Sequence, residues 1–127
     1  MLLSVIGYPI AHSLSPVLFD YFSTKYHIPM HYSRIAINNI VDFNIFFVNN
    51  KFMFDGFNIT YPLKNEIYYR WQKHSDIPSG IKSCNTLICN PNIKIYNTDY
   101  LAIRHIINKE IKEMWNHAII LGSGMTA

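Results

Sequence analysis

The chain has 127 residues, of which 50% are hydrophobic and 15% are charged. That length corresponds to one domain, or to one domain with part of a second, and the apolar content argues against a disordered chain. The net charge of +3 is small and Lys and Arg form no run, so nucleic-acid binding has little electrostatic support. Two cysteines are too few for a disulfide framework or for a complete metal site.

The sequence carries no targeting or membrane signal that we can identify. Residues 1–6 (MLLSVI) lack a basic segment, and a Gly-Tyr-Pro turn follows too early for a signal peptide. No apolar stretch approaches the roughly 20 residues that a membrane span needs. Pro29 separates His27 from His31, so these two cannot share a helix face as metal ligands. We therefore expect a cytoplasmic protein with no membrane partner and no metal.

The first half of the chain predicts two strands and two helices. Residues 2–7 and 31–37 have the apolar patterns of strands, and Ser15-Pro16 is a typical helix start because Ser caps and Pro suits the first turn. Asn38 or Asn39 can cap the second helix. The expected apolar residues of the two helices are Val17, Leu18, Tyr21, Phe22 and Tyr26 in the first, and Ile40, Phe43, Phe46 and Phe47 in the second.

A third strand and helix follow, and then a hairpin. Residues 52–57 (FMFDGF) predict a buried strand whose glycine allows close backbone approach. Pro62 is expected at the first position of the next helix, and Glu66 and Arg70 as a pair four residues apart. The predicted buried face of this helix consists of Leu63, Ile67, Tyr68 and Trp71. Residues 73–80 form a loop, and residues 86–89 and 93–96 flank an Asn-Pro-Asn turn.

The last part of the chain predicts a long helix and one more strand. Asp99 is a suitable N-cap, followed by an apolar face of Ile103, Ile106, Ile107, Ile111 and Met114. Residues 118–121 (AIIL) predict a buried strand that leads into residues 122–127 (GSGMTA). This fits the dinucleotide-binding pattern G-x-G-x-x-G/A directly after a strand. The pattern stops at Ala127, so we expect the cofactor site to be incomplete in these residues.

The alternation of strands and helices predicts an α/β fold: a three-layer αβα domain with a mostly parallel sheet. A long helix and the first strand of an incomplete Rossmann domain should follow. The predicted divisions are residues 1–99, a connecting helix at 100–115, and the start of the Rossmann domain at 116–127.

Two groups of residues could bind a ligand. Thr60 and Lys64 lie where a strand passes into a helix, at the sheet edge where ligands bind in open α/β folds. The positive end of the helix dipole disfavours a cation at Lys64, although a solvated lysine is the simpler interpretation. Ser13 and Ser15 converge at a helix start, which favours an anion such as a carboxylate. A plain helix cap is the simpler interpretation of Ser15, since Ser-Pro is common at helix starts.

Three separated segments share the order and spacing found in one enzyme family. Residues 7–16 (GYPIAHSLSP), residues 58–64 (NITYPLK), and the pair Asn85-Thr86 with residues 97–99 (NTD) together resemble the shikimate dehydrogenases. The similarity runs from the first strand to the start of the family's NADP-binding domain. Departures from the family pattern are Lys82-Ser83-Cys84, Ile95-Tyr96, Ala102 and Met125.

The resemblance implies NADP-dependent interconversion of 3-dehydroshikimate and shikimate, in aromatic amino-acid biosynthesis. It implies that Ser13 and Ser15 hold the substrate carboxylate, with Lys64 and Asp99 as the catalytic pair. It places Thr60, Lys64, Asn85 and Asp99 around the ring hydroxyls. The cofactor-binding residues would be Gly122, Ser123, Gly124 and Met125. The implied partners are the small-molecule substrate, and a second copy of the chain in a homodimer.

Two alternatives stay open. One is a quinate/shikimate dehydrogenase, whose substrate carries one more hydroxyl at the carboxylate-bearing carbon. Ser15 favours shikimate over quinate, because quinate-using relatives tend to differ at this position. The other is a ligand-binding or interaction module that lacks the cofactor domain and does not catalyse.

Overall fold

The structure is a computed structural model that describes residues 1–110 together with residues 117 and 119. The predicted strand at residues 118–121 and the glycine motif after it therefore lie outside the described residues. In chain order the elements are β1 (Leu2–Gly7), α1 (Ser15–Tyr26), β2 (His31–Ala36), α2 (Ile40–Asn50), β3 (Gly56–Ile59), α3 (Lys64–Trp71), a 3₁₀ turn (Gln72–His74), β4 (Thr86–Ile88), β5 (Lys94–Tyr96) and α4 (Thr98–Glu110).

The five strands form one mixed sheet in the order β2-β1-β3-β4-β5. Strands β1, β2 and β3 are parallel, β4 is antiparallel to β3, and β5 is antiparallel to β4. Four of the five strands therefore run in one direction, which confirms the predicted mostly parallel α/β sheet. The ends of β1, β3 and β5 meet the start of β4 at one edge, because Ile6 pairs with Ile59, Asn58 with Thr86, and Thr86 with Tyr96.

Helices α2 and α3 cover one face of the sheet and form the main core with it. Phe43 and Phe47 of α2 lie with ring centroids 6.1 and 5.0 Å from Trp71 of α3. Phe57 and Ile59 of β3 are both 2% exposed and belong to the same cluster. The predicted apolar face of α3 is confirmed, since its four residues, Leu63, Ile67, Tyr68 and Trp71, are all buried. This core fixes β3 and the start of α3 relative to each other.

Helix α1 lies on the opposite face of the sheet. Phe19 stacks on Tyr32 of β2 with centroids 4.2 Å apart, whereas Ile35 of the same strand packs toward the α2–α3 core. Odd and even positions of a strand point to opposite faces, which places helices on both sides of the sheet. The predicted apolar stripe of α1 does not form its buried face, because Val17, Leu18, Tyr21 and Tyr26 are 49–65% exposed.

The predicted strand at residues 52–57 is displaced, since β3 begins only at Gly56. Residues 51–53 form a turn after α2, closed by a hydrogen bond from Met53 N to Asn50 O, and Phe52 is 82% exposed. The close approach predicted at the glycine is confirmed. A Cβ on Gly56 would lie 2.9 Å from the carbonyl oxygen of Leu87 on the neighbouring strand.

Helix α3 begins two residues later than the prediction. Pro62 lies in a turn, because the backbone N–H of Leu63 donates to the Thr60 carbonyl at 3.0 Å, and Lys64 becomes the first helical residue. The predicted pair of Glu66 with Arg70 does not form. Arg70 donates instead to Asn44 Oδ1 at 2.6 Å, which ties α3 to α2. No helix in the described residues is long and apolar enough to cross a membrane.

Candidate active site

Thr60 and Lys64 are positioned at the sheet edge by backbone contacts. The N–H of Thr60 donates to the Ile6 carbonyl at 2.9 Å, and the N–H of Cys84 donates to the Lys64 carbonyl at 3.1 Å. Gly7 allows this arrangement, because a Cβ there would collide with the Thr60 side chain and lie 2.6 Å from the Tyr61 carbonyl oxygen. Both predicted site residues of this segment thus lie at the carboxyl end of β3, as expected.

Lys64 and Asp99 form an ion pair although 35 residues separate them in sequence. Lys64 Nζ lies 2.9 Å from Asp99 Oδ2. The lysine side chain is 15% exposed and the aspartate side chain 37% exposed, so the pair is open to solvent on the aspartate side. An ammonium group and a carboxylate in direct contact can hold and exchange a proton, which is what acid–base chemistry requires.

Asn85 connects the carboxylate to the start of α4. Its Nδ2 donates to Asp99 Oδ1 at 2.9 Å and to Thr98 Oγ1 at 2.8 Å. Its Oδ1 accepts from the backbone N–H of Thr98 at 2.8 Å. One buried amide therefore orients the Asp99 carboxylate and fixes the first turn of the helix that carries it.

Asn97, rather than Asp99, caps helix α4. Asn97 Oδ1 accepts from the backbone N–H of Tyr100 at 3.0 Å, so the prediction that Asp99 is the N-cap is wrong. The same Asn97 side chain donates to the carbonyl oxygen and to the hydroxyl of Ser83, each at 3.1 Å. Because Asn97 takes the capping role, the Asp99 carboxylate is free to contact Lys64.

Ser13 and Ser15 lie next to each other at the start of α1. Ser13 Oγ donates to Ser15 Oγ at 3.2 Å and accepts from the Ser15 backbone N–H at 3.3 Å. The expectation that Ser15 caps the helix is wrong: Leu14 is the N-cap residue, and no side chain caps it. The two hydroxyls therefore lie side by side at this helix start and hydrogen-bond to each other.

A single cleft of about 550 Å³ brings these residues together. It runs between the start of α1 and the start of α4, over the carboxyl end of the sheet. The six predicted substrate-site residues all line it: Ser13, Ser15, Thr60, Lys64, Asn85 and Asp99. Apolar walls come from α1 and β1, through Phe19, Phe22 and Val5. The polar lining of the cleft thus consists of hydroxyl and amide groups and one ion pair.

Sequence reasoning missed two polar residues at this site, Asn58 and Tyr32. Asn58 lines the cleft, and Tyr32 Oη donates to its Oδ1 at 2.6 Å. Burial raises the pKa of Tyr32 to about 12, against the opposing hydrogen bond with Ser15, so the phenol stays protonated. Strand alternation could have identified Asn58, since it lies on β3 two residues before Thr60, which directly follows the strand.

Burial makes the Cys84 thiol, which contacts the Lys64 backbone, poorly suited to act as a nucleophile. Cys84 is fully buried, and its Sγ lies 3.6 Å from the Lys64 carbonyl oxygen. Burial raises the pKa of Cys84 to about 12, although the nearby Lys64 charge acts in the opposite direction. The thiolate, which is the reactive form, is therefore scarce at neutral pH.

The predicted cofactor residues Gly122, Ser123, Gly124 and Met125 lie outside the described residues. In the part of the chain that the structure describes, no three His, Cys, Asp or Glu side chains come close enough to hold a metal ion.

Comparisons with known proteins identify the family of this chain. A family model described as the shikimate dehydrogenase substrate binding domain matches residues 5–87. The chain is 33% identical over 126 residues to a shikimate dehydrogenase (NADP(+)) of Helicobacter hepaticus, covering 98% of this chain and 45% of that protein. It is 34% identical over 122 residues to the Pelagibacter ubique protein of the same name, covering 94% and 46%. The crystal structure of shikimate dehydrogenase from Aquifex aeolicus matches with a TM-score of 0.74 and 28% identity, covering 89% of this chain and 43% of that one.

The chain thus spans less than half the length of the relatives that it matches. The family model covers more than half of the chain, from β1 into β4, and includes the strand-to-helix junction that carries Thr60 and Lys64. On this match, the chain belongs to the shikimate dehydrogenase family, within which it corresponds to the substrate-binding domain.

Proposed function

We propose that this chain is the substrate half of an NADP-dependent shikimate dehydrogenase, which interconverts 3-dehydroshikimate and shikimate. The observation that carries the proposal is the Lys64–Asp99 ion pair in a cleft that also contains Ser13 and Ser15. Shikimate carries a carboxylate at one end and ring hydroxyls at the other. The serine end of the cleft suits the first group, and the Lys64, Asp99, Asn85 and Thr60 end suits the second.

In this proposal the carboxylate of the substrate accepts hydrogen bonds from the two serine hydroxyls at the start of α1. The helix N-terminus adds unsatisfied N–H groups and the positive end of a dipole. Ser15 is the residue that favours shikimate over quinate. Neutral hydroxyl and amide groups at Thr60 and Asn85 would then recognise the ring hydroxyls, since a site that hydrogen-bonds a hydroxyl rejects analogues without it.

In the proposed reaction, this chain supplies the proton that the ketone oxygen of the substrate needs. NADP, when bound, supplies the hydride that reduces the ketone or accepts it in the reverse direction. Charge that builds on the ketone oxygen needs a proton, and the Lys64 ammonium is placed to deliver it. Asp99 holds the amine in position at 2.9 Å, and Asn85 holds Asp99. In the reverse direction the neutral amine would accept the proton from the substrate hydroxyl.

The proposal also covers the domain divisions of the chain, its partners and its location. We place residues 1–99 in the shikimate-binding domain, 100–115 in a connecting helix, and 116–127 at the start of the NADP-binding Rossmann domain. In that last segment the cofactor-binding residues would be Gly122, Ser123, Gly124 and Met125. The partners would be the small-molecule substrate and, in a homodimer, a second copy. The small net charge supports a protein that binds no nucleic acid. We place it in the cytoplasm, away from membranes.

Calorimetric titration of the chain with shikimate tests the proposal. The wild-type chain should bind shikimate, and a Lys64→Met variant, which keeps most of the bulk and loses the amine, should bind more weakly. In a form of the protein that turns over, the same variant should lower kcat by about 10²–10⁴-fold with a smaller effect on KM. Turnover near the wild-type rate would mean that another group donates the proton.

A further inference from the structure

Arg34 of β2 makes a two-donor contact with the loop that carries the serines. Its Nε donates to the Ser13 carbonyl oxygen at 3.0 Å, and its Nη2 donates to the same oxygen at 2.6 Å. The side chain is exposed at the surface, beside α1. Nothing in the proposed chemistry uses this arginine, so its two bonds to one carbonyl need a separate explanation.

The loop between β1 and α1 holds its shape through short-range bonds. Ser13 N–H donates to the Ile10 carbonyl at 3.1 Å, and the two serines bond to each other. The Tyr8 N–H at the start of the loop also donates to the Tyr61 carbonyl at 2.8 Å, but the bonds of Ser13 and Ser15 do not attach these two residues to the sheet. Arg34 supplies such an attachment, because β2 is paired along its whole length with β1. A guanidinium group is suited to this role, since its donors are held in a rigid planar fork.

We propose that Arg34 is a positioning residue for the carboxylate-binding end of the cleft. It fixes the Ser13 peptide against β2, so that the Ser13 and Ser15 hydroxyls stay where a carboxylate can accept from both. The inference rests on the proposed function for the identity of the ligand, shikimate. The attachment of the loop to the sheet rests on the two hydrogen bonds alone.

A competing explanation is that Arg34 only attracts an anionic ligand through its charge. Lysine separates the two roles, because it keeps the positive charge and loses the rigid fork. If Arg34 positions the loop, Arg34→Lys should bind shikimate nearly as poorly as Arg34→Met. If Arg34 acts through charge, Arg34→Lys should bind as the wild type does. Both variants should fold, because the side chain is exposed.

The experiment combines shikimate titration with amide hydrogen exchange on the wild-type chain, Arg34→Met and Arg34→Lys. Arg104 lies exposed on α4, so Arg104→Met serves as the matched control. We expect both Arg34 variants to lose about 10- to 150-fold in affinity at most, as for hydrogen bonds from a charged donor. The amides of Ser13 and Ser15 should exchange faster in both variants, and the control should change neither readout.

Wild-type affinity in Arg34→Lys, or unchanged exchange at Ser13 and Ser15 in both variants, would overturn the proposal. A merely structural role would lower the urea midpoint of the variants and leave the affinity of the folded protein unchanged, which would also overturn it. If the wild-type chain binds no shikimate, the proposed function fails separately. The exchange rates at Ser13 and Ser15 then decide whether Arg34 positions the loop.

Discussion

The side-chain amide of Asn85 donates to Asp99 Oδ1 at 2.9 Å, while Lys64 contacts the other oxygen of the same carboxylate. Asp99 is therefore held from two sides, by a residue just before β4 and by the first residue of α3. The ends of β3 and β5, which lead into α3 and α4, lie at one edge of the sheet together with the start of β4. That meeting accounts for an ion pair between residues that are far apart in sequence.

Asn85→Ala should destabilise the fold and loosen the Asp99 carboxylate. The substitution removes the donor to Asp99 Oδ1 and the acceptor for the Thr98 backbone N–H, which stays partly buried. Loss of one such partner costs about 1–3 kcal/mol. Urea unfolding measures this change, and Asn92→Ala in the exposed hairpin turn is the control. Equal stabilities for the two variants would show that the Asn85 amide does not hold α4.

Replacing Ser13 and Ser15 together by Ala should weaken shikimate binding without unfolding the chain. Each hydroxyl would contribute roughly 1.5–3 kcal/mol at most, as a hydrogen bond to a charged acceptor. Titration calorimetry checks the loss, and the double substitution Ser75→Ala/Ser79→Ala, in the loop that precedes β4, controls for the removal of two serines. Unchanged affinity in the Ser13 and Ser15 variant would place the carboxylate elsewhere in the cleft.

Gly7→Ala should destabilise the protein and displace Thr60. The added Cβ would collide with the Thr60 side chain and with the Tyr61 carbonyl, and insertion into a packed site costs roughly 1–3 kcal/mol. Gly80→Ala is a matched control, because a Cβ there meets no atom within 4 Å. Urea midpoints of the two variants give the comparison. If Gly7→Ala were as stable as Gly80→Ala, the close approach of Thr60 to β1 would be incorrect.

Stability should fall as the pH rises above 9. Burial raises the pKa of Cys84 to about 12 and that of Cys89 to about 11, from an ordinary value of 9.0. Above pH 9 the unfolded chain loses protons that the folded chain still holds, so unfolding becomes more favourable. The stabilisation that comes from keeping the two buried thiols protonated is complete below pH 9 and is lost as the pH rises toward 11 and 12.

Urea unfolding of the wild-type chain and of a Cys84→Ala/Cys89→Ala variant on both sides of pH 9 checks this dependence. The variant should show a shallower fall of its midpoint with pH, whatever its stability at neutral pH. Parallel pH profiles for the two proteins would mean that the thiols titrate alike in the folded and unfolded chains.

The sequence patterns predicted most of the sheet and the core. Periodicity located β1, β2 and the buried face of α3, because apolar residues such as Ile6 and Ile67 face the core. Periodicity could not locate the start of β3, since Phe52 and Met53 are as apolar as strand residues but lie in an exposed turn. Pairing with β1 determines where that strand begins, and pairing is a property of the fold.

The site residues that belong to sequence motifs could be predicted. The features that depend on local hydrogen bonds, such as the helix caps, could be predicted less well. The segments around Ser13, Lys64 and Asp99 resemble a family, and the structure brings them to one cleft. The cap of α2 is confirmed, since Asn39 Oδ1 accepts from the Asp42 backbone N–H at 2.9 Å. The caps of α1 and α4 were assigned to the wrong residues, because Ser15 and Asp99 suit a cap as well as Asn97 does. The choice depends on partners such as Ser83 and Lys64, which are distant in sequence. Arg34 carried no motif, so its contact with Ser13 was not predicted.

The central claim is that shikimate binds in the cleft between the start of α1 and the start of α4. Backbone amide NMR of the chain during a shikimate titration tests this most directly. If shikimate binds there, saturable shifts should occur at Ser13, Ser15, Thr60, Lys64, Asn85 and Asp99, with little change on the far side of the sheet. Shifts confined to the separate cavity beside Phe47 and Trp71, or no shifts at all, would contradict it.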